Sequence, residues 1–304
     1  MNETPEQIQS VVTVAAFRPL DDSVLVIKRA EDAKYNAGLY EIPGGKIESD
    51  DGNSISRVIK EFFEEIGIEL LADRVVYNSS EIIPRPARSR LKVYRYAAPI
   101  CGDQQVSINE SEAKEHPEHA FITGEKYQSL AYVKEVRAFL DQIFLTYQSR
   151  GTLLPLLNQP VLVQPILLDY PGYCAHLVDR PLDEKNYLLP HEGVRDVLRR
   201  LLRPLFPRAP KVILAKRLAA VPTTFLAQGQ SLPAWVLQYG IELAPHLAKS
   251  LDRTRVQSYA ADVVPTMTDP VTRNGLDLAQ RELIMPSSLT KVQLPRRRAP
   301  LVIT

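Results

Sequence analysis

Residues 44–68 read GGKIESDDGNSISRVIKEFFEEIGI, and this stretch decides the fold of the first half of the chain. The glycine pair after Pro43 predicts a turn at which the backbone can approach a ligand closely. Asn53 or Ser54 is a good N-cap for a helix, and Gly67 would end that helix. The helix has one apolar stripe, which consists of Ile55, Val58, Ile59, Phe62 and Ile66. The stretch therefore predicts a loop followed by an amphipathic helix.

Three glutamates lie opposite the apolar stripe, namely Glu61, Glu64 and Glu65. Like charges three and four residues apart cost a bare helix roughly 0.2–0.5 kcal/mol per pair. The C-terminal end of a helix is also the unfavourable end for acidic groups. Because no local group offsets this cost in the sequence, a bound cation is suggested, and carboxylate oxygens suit Mg²⁺ or Mn²⁺. On these residues alone, the alternative is an ordinary solvated helix face.

The stretch resembles the Nudix box, a loop–helix–loop motif written G-x5-E-x7-R-E-U-x-E-E-x-G-U, in which U is aliphatic. Residues 60–68 follow its second half, with Lys60 in place of the arginine and Phe62 at the first aliphatic position. The preceding GLYEIPGGKIE, residues 38–48, is also similar to the family. The resemblance implies a Nudix-type α/β/α sandwich over roughly residues 9–148.

The first half of the motif departs from the family pattern. One extra residue lies between Gly45 and Lys60, and Asp50 or Asp51 stands where the first glutamate of the motif belongs. These departures weaken the expectation of a second or third bound metal ion more than the expectation of the first.

The resemblance also implies an activity and a set of site residues. Nudix hydrolases cleave a diphosphate linkage, typically in a nucleoside diphosphate joined to another group. The metal cofactor, Mg²⁺ or Mn²⁺, would be held by the Gly45 carbonyl and by Glu61, Glu64 and Glu65. Lys60 would brace these carboxylates with a positive charge, although it lacks the forked hydrogen-bond geometry of arginine.

A glutamate in the loop before the last strand joins the metal in many members of the family. Glu115 lies at the appropriate distance from Phe121, and Glu112 and Glu118 are alternatives. Either Glu61 or Glu115 would take a proton from the attacking water.

Other charged residues near the motif are weaker candidates. His116 and His119 form an H-x2-H pattern, but no cysteine or second pair accompanies it, so we do not expect a transition-metal site there. Lys28, Arg29 and Lys46 lie near the glycine pair in sequence and could bind the phosphates of a substrate.

The elements around the motif indicate an α/β domain. A helix is predicted at residues 131–147, where apolar residues recur with helical period. Strands are predicted at 11–17, 24–27, 75–77, 91–96 and 120–122.

Length and charge predict two domains. The 304 residues can form two cores. Residues 1–150 contain 18 lysines and arginines and 24 aspartates and glutamates, whereas residues 151–304 contain 19 basic and 12 acidic residues. The second segment also contains 17 of the 24 prolines. We therefore expect a Nudix domain at 1–150 and a basic, proline-rich accessory domain of unknown fold at 151–304.

The second half resembles no family, and its pattern indicates an uncharacterised α+β domain. Strands at 161–163 and 165–168 are interrupted by a proline, which predicts sheet edges. A helix with four outward arginines is predicted at 193–206, a strand at 212–214, and a broken helical pattern at 233–251.

Three functions from different classes follow. The first is an Mg²⁺-dependent pyrophosphohydrolase acting on a nucleotide-type diphosphate. The main alternative is a Nudix-derived ligand sensor whose basic C-terminal half binds nucleic acid, and the third is a purely structural or interaction protein with a decayed motif. The polar, acidic N-terminus is not a signal peptide, and no apolar run approaches the length of a membrane span, so a cytoplasmic protein without a membrane partner is expected. The sequence leaves the oligomeric state open.

Overall fold

The structure is a computed structural model of the chain. It describes residues 8–49, 51–84, 90–101, 104–169, 174–178, 186–206, 213–227, 230–243, 245–260 and 301–303. The chain divides into two compact units, the first of Met1–Gln148 with Thr152–Asn158 and the second of Ser149–Gly151 with Gln159–Thr304. The domain division at residue 150 stays a prediction, and the contacts of Thr152–Asn158 place that short segment with the first unit.

A seven-stranded mixed sheet forms the centre of the first unit. Its main path runs in the order β3 (Tyr40–Glu41), β2 (Ser23–Lys28), β1 (Ile8–Arg18), β6 (Arg90–Pro99) and β5 (Val76–Pro84). Two further strands pair off this path, β4 (Gly44–Lys46) with β1 and β7 (Glu118–Ile122) with β2. Strands β1 and β6 are parallel, and the other neighbours are antiparallel.

Helices cover both faces of this sheet. Side chains alternate along β1, and Val12, Val14 and Ala16 pack on one face with the apolar stripe of α1 (Ser54–Ile66). On the opposite face, the Arg95 guanidinium lies 5.2 Å from the ring centroid of Phe139 in α3 (Lys134–Arg150). The predicted α/β/α sandwich is therefore confirmed. A short helix, α2 (Glu110–Glu115), precedes β7.

The ends of α1 follow the predicted capping chemistry. The Asn53 side chain accepts a hydrogen bond from the Ser56 N–H at 2.9 Å, and Gly67 takes the left-handed conformation with φ 72°. The glycine pair differs from the prediction, because Gly44 and Gly45 lie in β4 rather than in a turn. A Cβ on Gly44 would overlap the Val12 carbonyl, so the close approach of β4 to β1 requires a glycine there.

A buried carboxylate ties Thr152–Asn158 to the first unit. Asp22, in the turn between β1 and β2, is 1% exposed and has φ 49°. Its Oδ1 accepts hydrogen bonds from Thr152 Oγ1 at 3.0 Å and from the Leu153 N–H at 2.9 Å. The side chains of Leu153, Leu154 and Leu157 are fully buried. This segment therefore completes the core of the first unit.

The second unit contains a six-stranded mixed sheet. Its order is β12 (Val256–Ala260), β9 (Cys174–Val178), β8 (Val161–Asp169), β11 (Gln230–Leu243), β10 (Ile213–Ala227) and β13 (Leu301–Ile303). Helix α4 (Val194–Leu202) packs beside β8, and its apolar face is buried, namely Val194, Val197, Leu198, Leu201 and Leu202. A short α5 (Pro245–Ser250) follows β11. This unit is α+β, as predicted. None of the helices in the described part of the chain has the length and apolarity that a membrane crossing requires.

Two local predictions for the second unit are wrong. Strand β8 is continuous and lies inside the sheet, although it contains Pro165. Its antiparallel ladder with β9 begins only at Ile166, so the missing N–H of Pro165 falls at the end of that ladder. Most of the predicted broken helix at 233–251 is strand β11, whose long pairing with β10 overrides the local helical period. Residue 212 of the predicted strand at 212–214 lies outside the described residues.

Candidate active site

The backbone of the glycine pair lies against two carboxylates of α1. The Gly44 N–H donates a hydrogen bond to Glu65 Oε2 at 2.9 Å. A Cβ on Gly45 would overlap the Glu61 carboxylate, so a larger residue there would displace this side chain. Glu61 is 9% exposed and Glu65 is 8% exposed. The structure thus brings Gly45, Glu61 and Glu65 together, in a cradle of oxygen donors that suits a divalent cation.

Arg57, one helical turn before Glu61, fills the bracing role that was predicted for Lys60. Its guanidinium forms an ion pair with Glu61, and its Nη1 lies 3.4 Å from Asp51 Oδ1. The Asp51 side chain is only 3% exposed, whereas Lys60 is exposed. Because the fork of an arginine can bind two carboxylates at once, Arg57 links the loop to the helix. Asp50, the other residue considered for the first motif glutamate, lies outside the described residues.

The ion pair made by Arg57 changes one conclusion drawn from the sequence. The glutamates of α1 do have local compensation, because Arg57 precedes Glu61 by four residues on the same helix face. Glu64 is exposed to water, where its charge costs little. The cation suggested by the sequence is therefore not needed to offset Glu61 or Glu64, and the remaining acidic group is Glu65.

Arg57→Ala is expected to lower the free energy of unfolding by about 3 kcal/mol, because removing one partner leaves two poorly exposed carboxylates without their cation. Lys60→Ala, on the exposed face of the same helix, should change it by less than about 0.5 kcal/mol. Urea denaturation of both variants with chelator present measures the two effects. Equal effects would show that Arg57 does not brace the loop.

Glu65 is the most perturbed carboxyl group near the glycine pair. Burial, with a smaller contribution from the nearby Glu41 and Glu112 carboxylates, raises the pKa of Glu65 to about 8, against the opposing Gly44 N–H and Arg29. At neutral pH the metal-free protein therefore holds a proton on Glu65. A divalent cation would take the place of that proton.

A second set of side chains approaches Glu65 from α2 and the residue after it. One ligand atom each of Glu65, Glu112 and His116 lies within 4.8 Å of the other two. His116 is 3% exposed, and its Nε2 lies 3.1 Å from Oε1 of Glu41. The same oxygen of Glu41 lies 2.7 Å from Arg29 Nε. Glu112, an alternative to Glu115 in the sequence, is thus the acidic residue of α2 that reaches the α1 carboxylates.

The remaining predicted site residues lie around this cluster. Glu115 ends α2 with a side chain that is 66% exposed, and its Oε2 lies 3.4 Å from Arg29 Nη1. Lys28 Nζ lies 2.9 Å from Glu31 and 3.4 Å from Glu118. Lys46 is exposed at the end of β4, next to Gly45. The structure therefore does not place Glu115 in the Glu65 cluster, and the ligand and substrate roles of all these residues stay predictions.

Gly45→Ala is expected to displace the Glu61 carboxylate and to weaken the binding of Mg²⁺ or Mn²⁺ by about tenfold or more, as the loss of a supporting contact does at other metal sites. Gly52→Ala is the control, because a Cβ there meets no atom within 4 Å, although its φ of 63° adds backbone strain. Isothermal titration calorimetry with MnCl₂ compares the two. Unchanged affinity in Gly45→Ala would remove Glu61 from the metal site.

The buried carboxylates of Glu61 and Glu65, beside the glycine pair of an α/β/α sandwich, offer oxygen ligands for a divalent cation. Residues 9–140 match the model of the NUDIX domain, and the N-terminal half of the chain is therefore a Nudix domain. The match does not extend into the second unit.

Several solved structures are similar to this half of the chain. The MutT NUDIX hydrolase from Burkholderia pseudomallei is 23% identical, with 45% of this chain and 99% of that chain covered and a TM-score of 0.38. The ORF135 protein of E. coli is 21% identical, with 47% and 92% covered and a TM-score of 0.38. The NUDIX domain of Shewanella oneidensis NrtR, solved with ADP ribose, is 14% identical, with 46% and 87% covered and a TM-score of 0.37. No curated protein is similar enough to the chain to count as a match.

Proposed function

We propose that the first unit is a metal-dependent pyrophosphohydrolase that cleaves a nucleoside diphosphate joined to another group. The observation that supports this most directly is the packing of the glycine pair against Glu61 and Glu65 within a Nudix domain. A buried carboxyl group with a strongly raised pKa, such as that of Glu65, is found most often at functional sites.

The proposed metal ligands are the Gly45 carbonyl and the carboxylates of Glu61, Glu64 and Glu65. Bound Mg²⁺ or Mn²⁺ would neutralise phosphate charge and acidify a water molecule. Arg57 holds the Glu61 carboxylate in place, and the Gly44 N–H does the same for Glu65. These contacts fix both carboxylates before a cation binds, so their conformational entropy is lost on folding and not on metal binding.

Three carboxylates are candidates for taking the proton from the attacking water. Glu61 and Glu115 were predicted, and their carboxylates contact Arg57 and Arg29 respectively. Glu112 becomes the third candidate, because its carboxylate neighbours Glu65 and is partly exposed. A general base must reach the water and remain accessible to it, and the partial exposure of Glu112 beside Glu65 is compatible with that role.

Among the basic residues, Lys46 is the best placed to bind a phosphate of the substrate. It is exposed and directly follows Gly45 in β4. Lys28 and Arg29 each lie between two carboxylates, Glu31 and Glu118 in one case and Glu41 and Glu115 in the other. An anionic substrate would have to compete with these carboxylates.

Two of the three arginines of α4 have acidic partners, which weakens the nucleic-acid alternative. Arg199 Nη1 lies 3.2 Å from Asp196 Oδ1, and Arg200 pairs with Glu192 and donates to the Tyr187 carbonyl. Their charges are partly neutralised within the second unit, so the basic composition overstates the free positive charge on this helix. We propose no separate function for the second unit.

The test of the proposed function is a screen of nucleoside diphosphate derivatives with the full chain, in MgCl₂ and in MnCl₂, with chromatographic detection of the released phosphate species. Hydrolysis of at least one derivative that disappears with chelator supports the proposal. If the protein binds metal and nucleotide but releases no phosphate species from any derivative, the hydrolase proposal is wrong.

A further inference from the structure

We propose that Glu65, Glu112 and His116 form a metal site with one nitrogen ligand, which selects a transition-metal ion over Mg²⁺. The site rests on the proposed function only for the role of Glu65 as a metal ligand. It deepens that function by adding a nitrogen ligand, His116, to the oxygen ligands proposed above. It also departs from the sequence expectation, in which His116 was considered only together with His119. The structure separates the two, because His116 is buried and His119 is exposed.

The hydrogen bonds of His116 fix which ring nitrogen is available. Nε2 lies 3.1 Å from the Glu41 carboxylate, which can only accept, so Nε2 carries the hydrogen. Glu41 is held in turn by Arg29 at 2.7 Å. Nδ1 is therefore the nitrogen with the free lone pair. Histidines that bind metals commonly donate their second N–H to a carboxylate in this way, which orients the ring and makes the ligating nitrogen more basic.

The free nitrogen has no hydrogen-bond partner among the described residues, and the His116 ring belongs to the cluster with the Glu65 and Glu112 carboxylates. A buried polar atom without a partner is uncommon in folded proteins. Nδ1 lies 3.6 Å from Glu112 Oε2, which is too long for a hydrogen bond even from a protonated ring. Two ligand atoms at about 2.1 Å from a shared ion lie about 3 to 4 Å apart, so the spacing fits a bridging cation better than a shared proton.

The ligand set indicates the kind of ion. Mg²⁺ prefers oxygen ligands and keeps several waters, whereas imidazole nitrogen suits the later ions of the first-row series, such as Fe²⁺, Ni²⁺ and Zn²⁺. Two carboxylates and one imidazole form a mixed set that the later ions of this series bind more tightly than Mg²⁺ does. The partly exposed Glu112 leaves one side of the site open to solvent or to a phosphate oxygen.

The direct test uses MnCl₂ as the probe, with the full chain and no substrate. Electron spin echo envelope modulation detects a nitrogen bonded to Mn²⁺. We expect this signal in the wild type and in the control His119→Gln, and its loss in His116→Gln. Calorimetry should show Mn²⁺ affinity lowered by about tenfold or more in His116→Gln, with Mg²⁺ affinity changed far less.

The outcomes separate this inference from the proposed hydrolase. Mn²⁺ bound without a nitrogen signal in the wild type overturns the inference, and that measurement does not depend on any variant folding. A nitrogen signal that persists in His116→Gln also overturns it, because the ligand would be another histidine. A nitrogen-ligated Mn²⁺ without hydrolysis of any diphosphate overturns the proposed function and leaves the metal site standing.

Discussion

Glu65→Gln is expected to lower kcat/KM for the diphosphate substrate by about three orders of magnitude, because a lost metal ligand removes several kcal/mol of transition-state stabilisation. Glutamine keeps the size of the side chain, and its carbonyl oxygen can still accept the Gly44 N–H, so the fold should remain intact. Steady-state kinetics with saturating Mg²⁺ or Mn²⁺ measure the effect. Circular dichroism verifies that the variant is folded.

Glu69→Gln is the matched control, since Glu69 is an exposed glutamate just beyond α1. Its turnover should equal that of the wild type. Glu61→Gln and Glu64→Gln are expected to show losses of similar order to that of Glu65→Gln. If Glu65→Gln retained near wild-type turnover at every metal concentration, Glu65 would not be a metal ligand.

The metal-free protein is expected to lose stability as the pH rises from about 5 to 8. The pKa of Glu65 is about 8 in the folded protein and 4.5 as its ordinary value, so above pH 4.5 the unfolded chain releases a proton that the folded protein keeps. Unfolding then becomes easier by up to about 1.4 kcal/mol per pH unit, and this dependence ends above pH 8. Urea denaturation with chelator at pH 5, 6, 7 and 8 measures the slope.

Glu65→Gln should remove this slope, because the amide does not titrate, and should make the metal-free protein more stable than the wild type at pH 8. Saturating metal should make the wild type more stable than Glu65→Gln, since the cation replaces the proton on Glu65 and binds only the folded state. A stability difference between wild type and variant that stays constant from pH 5 to 8 would contradict the assignment of the buried proton to Glu65.

Local signals explain what the sequence predicted correctly. The limits of α1 followed from cap chemistry at Asn53 and Gly67, and its buried face followed from the apolar period. Strand β4 was missed because a three-residue strand with two glycines has no period to detect. Arg57 was not predicted as the partner of Glu61, because the family motif has its arginine at the position of Lys60 and not one helical turn before Glu61.

The Glu65, Glu112 and His116 cluster could not be predicted, since it depends on contacts between segments about fifty residues apart in sequence. The same holds for the interior position of Pro165. Its neighbours in the sheet come from other parts of the chain, and only the pairing of β8 with β9 and β11 shows that the proline is tolerated.

The hydrogen bonds between Asp22 and the residues after α3 determine where the first unit can be cut from the rest of the chain. A fragment that stops at residue 150 would remove the donors Thr152 and Leu153 from a carboxylate that is 1% exposed. It would also strip the apolar cover supplied by Leu154 and Leu157. Loss of donors to a buried acceptor costs about 1–3 kcal/mol. A fragment that ends after Asn158 keeps these contacts, so poor behaviour of the shorter piece would reflect the position of its end and not a requirement for the second sheet.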